Sequence, residues 1–253
     1  MYYKKRKVIK LRFRSSNIVF RKILNSEVEG VNYEVATYSG IAKKSIFYLL
    51  LVLAGAFGGL FLSTVNASAY TSLLSIAAIS TFIFALISFW SPRFVKITGS
   101  IYCLLEGILV GFISAIYGAV AEGAVVTALL STVMVFMVVT TLFLTNLIKV
   151  NSGFIKFLFI FAIGMILSQL ILYLIMTFTG QAYSFGLCLG ISALTVFLAT
   201  LYLLFDLEHI RQVVEGGHPK DLEWYASFGL VFTLVWLYIE ILRIVTILFA
   251  NRN

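Results

Sequence analysis

Charge is the scarcest commodity in this chain. Asp, Glu, Lys and Arg make up 12% of its 253 residues, against 61% hydrophobic ones. A water-soluble domain of this length does not have so little charge, which excludes that class. Short alternating apolar segments are absent too, so a transmembrane β-barrel is excluded: the apolar residues come in long unbroken runs. Cysteine is down to two, Cys103 and Cys188, both inside apolar runs. They read as small buried hydrophobes rather than a disulfide. Signatures of hydrolytic or metal-dependent catalysis are missing: there is no HExxH, CxxC or GxSxG. No Walker-type phosphate loop and no inverted repeat of the secondary-transporter kind appears either. The expectation is a protein that is not an enzyme and holds no cofactor. The first apolar run starts only near Ser45, too late for a cleavable secretory signal.

What is present is membrane-spanning helix. Seven apolar segments run over about 45–63, 69–90, 98–121, 124–148, 154–178, 184–206 and 223–249, most of them near the roughly 20 residues a bilayer crossing requires. Ser91-Pro92, Asn151-Ser152-Gly153 and Thr179-Gly180-Gln181 break the chain between them. The sixth segment is expected to continue as polar helix from Asp206 to Glu215, until Gly216-Gly217 and His218-Pro219 end it. The fold class is therefore all-α, a polytopic membrane protein with a seven-helix bundle over 45–253. Residues 1–44 precede it as a basic arm.

That arm holds Lys4, Lys5, Arg6, Lys7, Lys10, Arg12, Arg14, Arg21, Lys22, Lys43 and Lys44. The second, fourth and sixth connections carry Arg93 and Lys96, Lys149 and Lys156, and Arg211 and Lys220, whereas the first, third and fifth have no basic residue. Basic residues mark the cytoplasmic side. The expected orientation is amino terminus inside and carboxyl terminus outside. The net charge of +8 thus reads as topogenic charge against anionic lipid, since no nucleic-acid motif accompanies it.

Small residues stand at helix-packing spacing in Gly107-xxx-Gly111, Gly55 with Gly59, and Gly186-xxx-Gly190. Asn66-Ala67-Ser68 fits a glycosylation pattern, but lies too close to two helix ends to be read as one.

Ionisable groups inside apolar runs are the informative ones. Glu106 lies in the third segment, Asp206 closes the sixth, and Glu240 and Arg243 lie in the seventh. Glu240 and Arg243 share a helix face and can satisfy each other as a buried ion pair. A helix hiding such a face needs neighbours on all sides, which places the seventh helix at the centre. Carboxylates converging from the third, sixth and seventh helices suit a cation or proton path. Carboxylate oxygens ligate Ca²⁺, and burial of a carboxyl lets pH switch its charge. A buried network that merely sets helix register accounts for Glu106, Glu240 and Arg243 equally well. For Asp206, spacing alone favours a helix-end residue at the lipid headgroups.

Leu203-Leu204-Phe205-Asp206, Glu223-Trp224-Tyr225-Ala226-Ser227-Phe228-Gly229-Leu230 and Trp236-Leu237-Tyr238-Ile239-Glu240-Ile241-Leu242-Arg243 resemble the carboxyl-terminal signature of the transmembrane Bax inhibitor (TMBIM) family, and more closely its bacterial YccA-like branch. Thr37-Tyr38-Ser39-Gly40 with Lys44, and Glu106-Gly107-xxx-Gly111-xx-Ser114-xx-Tyr117, agree with it. The resemblance implies a seven-helix bundle with the last helix central, a bacterial inner membrane, and a pH-sensitive Ca²⁺ leak controlled by two aspartates facing each other from the sixth and seventh helices. Asp206 matches the first of these, as a possible Ca²⁺ ligand. The position of the second falls on Thr233, with Glu240 two turns further on. The di-aspartyl pair is therefore not intact, and Glu240 or Glu106 would have to substitute. Ca²⁺ or H⁺ is the permeant ion on this reading. The competing reading is a non-conducting modulator of other membrane proteins, among them a membrane-anchored AAA protease that would recognise the arm.

Overall fold

A computed structural model describes residues 34–65, 70–180 and 184–251. Most of the basic arm, the Asn66-Ala67-Ser68 pattern, Gln181 and Arg252 lie outside the described residues. The described residues form seven helices: α1 (Tyr38–Val65), α2 (Tyr70–Trp90), α3 (Val95–Val120), α4 (Ala124–Leu144), α5 (Ser152–Thr179), α6 (Phe185–Glu215) and α7 (Leu222–Ala250). Six are long and apolar enough to cross a membrane, and in α2 the stretch Leu74–Trp90 is a shorter apolar helix. The protein is a multi-pass, all-helical membrane protein.

The breaks act as the local chemistry dictates. Asn151 caps α5 by accepting from the Phe154 amide at 2.8 Å. Gly180, at φ +66°, ends the same helix in the left-handed conformation that glycine adopts without strain. The polar turns after Asp206 are helical through Glu215, and Gly217 turns the chain at φ +64°. The helices overrun the apolar runs where polar residues still favour helix. The first begins at Tyr38, ahead of the apolar run near Ser45 and within the segment read as arm.

α7 is the axis of the bundle. It packs against α1, α3, α4 and α6, and 61% of its span is buried, against no more than 33% of any other. Around Phe228, wholly buried, the rings of Tyr48, Phe89, Tyr102 and Phe232 gather with centroids 5.2–6.3 Å away. The Tyr48 hydroxyl, carried into this cluster, donates to the Val95 carbonyl at 2.8 Å.

α1 and α3 form the closest pair. A Cβ added to Gly55, Gly59, Gly107 or Gly111 would come within 2.2–2.3 Å of a carbonyl oxygen of the facing helix. The two backbones touch there because no side chain intervenes, the arrangement lipid-embedded helices use in place of a hydrophobic driving force. Gly186 and Gly190 do not behave this way. A Cβ on either meets nothing within 4 Å, which corrects the expectation that this pair is a packing face. Both cysteines are free thiols, Cys103 buried and Cys188 partly so.

Candidate functional site

A cavity of about 700 Å³ lies beside α7, walled by α2, α3, α5, α6 and α7. Two carboxylates line it, Glu106 from α3 and Asp206 from α6. Asp206 is not at a helix end: α6 runs on past it to Glu215, and its side chain lies beside α7 in the cavity wall. Thr233 of α7 lines the same cavity. A Cβ added to Gly229, one turn earlier on α7, would stand 3.5 Å from Oδ1. The residue keeps some exposure overall, but Oδ2 is sealed and has no hydrogen-bond partner. Glu106 lines the cavity together with Tyr102, one turn back on α3.

Glu240 is not among the lining residues. It is buried one turn beyond Trp236, whose Nε1 donates to Oε1 at 3.3 Å, while Arg243 Nη1 lies 3.2 Å from Oε2. Oε2 accepts no aligned hydrogen bond, so the contact with Arg243 is an ionic one. Of the three carboxylates expected to converge, two share the cavity and the third is held in an ion pair of its own. Among the described residues no three of His, Cys, Asp and Glu gather as a metal-binding group. The cavity offers a cation two carboxylates and neighbouring hydroxyls, not a cage.

A second polar cluster escaped the reading of the sequence. Glu223, in the first turn of α7, is 1% exposed. Its Oε2 receives Lys44 Nζ at 2.6 Å, and its Oε1 accepts the amide of Thr37 at 2.8 Å and the Thr37 hydroxyl at 3.2 Å. Gly40 leaves the space for this carboxylate, since a Cβ there would stand 2.2–2.4 Å from its atoms. The segment before α1 continues the contact: the Ala36 amide donates to the His218 carbonyl at 2.8 Å, and Val35 pairs with Pro219. Ser227 adds a hydroxyl bond to the Ile41 carbonyl at 2.9 Å. The start of α1 is thus clasped to the α6–α7 loop and the start of α7. In that loop, burial holds the His218 imidazole below its usual pKa. Farther along α6, Arg211 pairs with Glu208 and reaches Asn146 at the end of α4.

Glu106, Asp206, Glu223, Thr37, Gly40 and Lys44 belong to the stretches that carried the family resemblance, and a family model tests it directly. The model described as Bax inhibitor 1 like matches residues 11–250. The chain belongs to the Bax inhibitor family. Direct comparison with curated proteins gives no match. Within this Bax inhibitor family member, Asp206 of α6 and Thr233 of α7 line one cavity together.

Proposed function

We propose that the protein provides a passive cation path, for Ca²⁺ or H⁺, whose conductance is set by protonation of carboxylates beside α7. The observation that carries this reading is the placement of Glu106 and Asp206 in one cavity against the central helix. Carboxylate oxygens replace part of a cation's hydration shell, and a carboxyl inside a bundle marks an ion or proton route more often than a surface one does. With Thr233 in the second aspartate's place, Asp206 is the principal switch and Glu106 the second carboxylate. Glu240 stays in its pair with Arg243. On this reading the membrane is a bacterial inner membrane, as the YccA-like resemblance implies, with the basic amino-terminal side cytoplasmic.

Ca²⁺ entry into proteoliposomes across a pH series tests it. Flux should depend on pH in the wild type, and Asp206→Asn, which fixes a neutral side chain, should flatten that dependence. An unchanged pH profile in Asp206→Asn would remove the switch. Absence of flux at every pH would favour the competing reading, a non-conducting modulator of other membrane proteins such as a membrane-anchored AAA protease.

A further inference from the structure

The same cavity has a side entrance. α2 packs chiefly on α3 and α5 on α6, and among the described residues α2 and α5 make no extensive contact with each other. Both nonetheless line the cavity, with Phe82 of α2 65% exposed and Ile166 of α5 66% exposed. On helices of a membrane protein, such residues face lipid. The cavity therefore opens sideways, between α2 and α5, at the depth of the acyl chains. Its volume of about 700 Å³ falls within the range of small-molecule sites.

Its chemistry is one-sided. Glu106 and Asp206 line it, and among the described residues that do so there is no Lys, Arg or His. Asp206 Oδ2 is sealed and without a hydrogen-bond partner, so what this carboxylate offers a cation in the cavity is charge rather than a hydrogen bond through that atom. The Phe89 and Phe232 rings, 5.1 Å apart, and the Tyr102 ring, 5.7 Å from Phe232, add aromatic faces that attract cations. Most of the remaining wall is aliphatic. A hydrated inorganic ion would not enter through lipid, whereas an amphiphile with a cationic head would.

We propose that this cavity binds lipophilic organic ammonium ions, with the ammonium beside Asp206 and Glu106 and the apolar tail leaving between α2 and α5. The ammonium supplies the countercharge that no lining residue offers. The site uses the cavity of the proposed path but stands whether or not inorganic cations pass through it.

Radiolabelled decyltrimethylammonium is the probe, added to the full chain in lipid nanodiscs, with empty nanodiscs correcting for partition into lipid. Decanol and decanoate, matched in tail and differing in charge, are the controls. The expected result is saturable binding of the cation only. Asp206→Asn should weaken it about tenfold or more, the scale of losing one charge attraction near a protein surface. Ala78→Trp, at an exposed lining position on α2, should weaken it comparably by blocking the entrance. This variant keeps the test decisive if Asp206→Asn does not fold. No saturable binding above empty nanodiscs, equal binding of decanol, or undiminished binding in folded variants would overturn the site. Ca²⁺ flux from the same preparations separates the two readings: binding without flux leaves this site and removes the path, and flux without binding does the reverse.

Discussion

Thr233 on α7 lines the same cavity wall as Asp206 on α6, where the family resemblance places a second carboxylate. The two helices present one carboxyl and one hydroxyl here, so there is no like-charge repulsion across the contact. Thr233→Asp should introduce it, because two adjacent carboxylates cannot both ionise cheaply. The variant is expected to melt below the wild type at alkaline pH and to recover as pH falls and one carboxyl takes a proton. Thr233→Val keeps the shape and removes the hydroxyl beside Asp206, and should cost about 1 kcal/mol, the scale of one net polar contact. Melting curves in detergent over a pH series check both.

The α1–α3 seam makes a second, sharper contrast. Gly55→Val or Gly107→Val drives a side chain into the carbonyl of Leu104 or Val52, and backbone cannot step aside as a flexible side chain would. Each should cost about 1–3 kcal/mol or more, the scale of overpacking. Gly190→Ala meets nothing within 4 Å and should be neutral or stabilising by up to about 1 kcal/mol, since alanine is the better helix former. Thermal stability of the three variants, measured side by side, decides it.

Those glycines show where sequence reading reaches its limit. Gly107-xxx-Gly111 and Gly186-xxx-Gly190 have the same spacing, and only the partner surface tells them apart. Element positions were legible because apolar runs end at residues with their own local chemistry, such as Asn151, Gly180 and Gly217. Facing directions were not. Helices apolar all round carry no stripe to say which side packs, so spacing alone put Asp206 at a helix end although it lies in the cavity wall with Thr233. Glu240 and Arg243 were legible as a pair because one helix turn fixes their distance. Lys44 and Glu223 were not, being separated by 179 residues, even though both stood in recognised motif stretches.

The Glu240–Arg243 pair is unequal: the carboxylate side chain is 7% exposed and the guanidinium 37%. Removing the more exposed partner strands the more buried charge. Arg243→Met should therefore cost more, at the upper end of the about 3–5 kcal/mol seen when a buried pair is broken. Glu240→Gln leaves an arginine that can turn outward, and should cost less. Equal losses in melting temperature for the two variants would contradict this asymmetry.

His218 supplies a pH dependence outside the spans. Burial lowers its folded-state pKa from the ordinary 6.5, so near that pH the unfolded chain binds the proton more readily. The contribution to stability is fully present above pH 6.5 and is lost as pH falls through the lowered value. His218→Gln should remove this component, so wild type should lose more stability than the variant between about pH 7.5 and pH 5.

The clasp at the start of α7 gives the last prediction. Glu223 is 1% exposed and is satisfied from the other end of the chain, by Lys44 and by the amide and hydroxyl of Thr37. Glu223→Ala unpairs Lys44, which is 15% exposed, and also leaves the Thr37 amide without this acceptor. A loss of about 3 kcal/mol is expected, as for breaking a buried pair. Gly40→Ala attacks the same contact from the opposite side, because its Cβ would occupy the carboxylate's space. Once Glu223 is gone that clash is gone too, so Gly40→Ala should cost little in the Glu223→Ala background, where helix propensity even favours alanine. The double-mutant cycle should therefore show strong coupling, well above the about 0.3–0.5 kcal/mol deviation found for independent sites. Additive losses would mean that Gly40 and Glu223 act separately, and that the start of α1 is not held to α7 through this carboxylate.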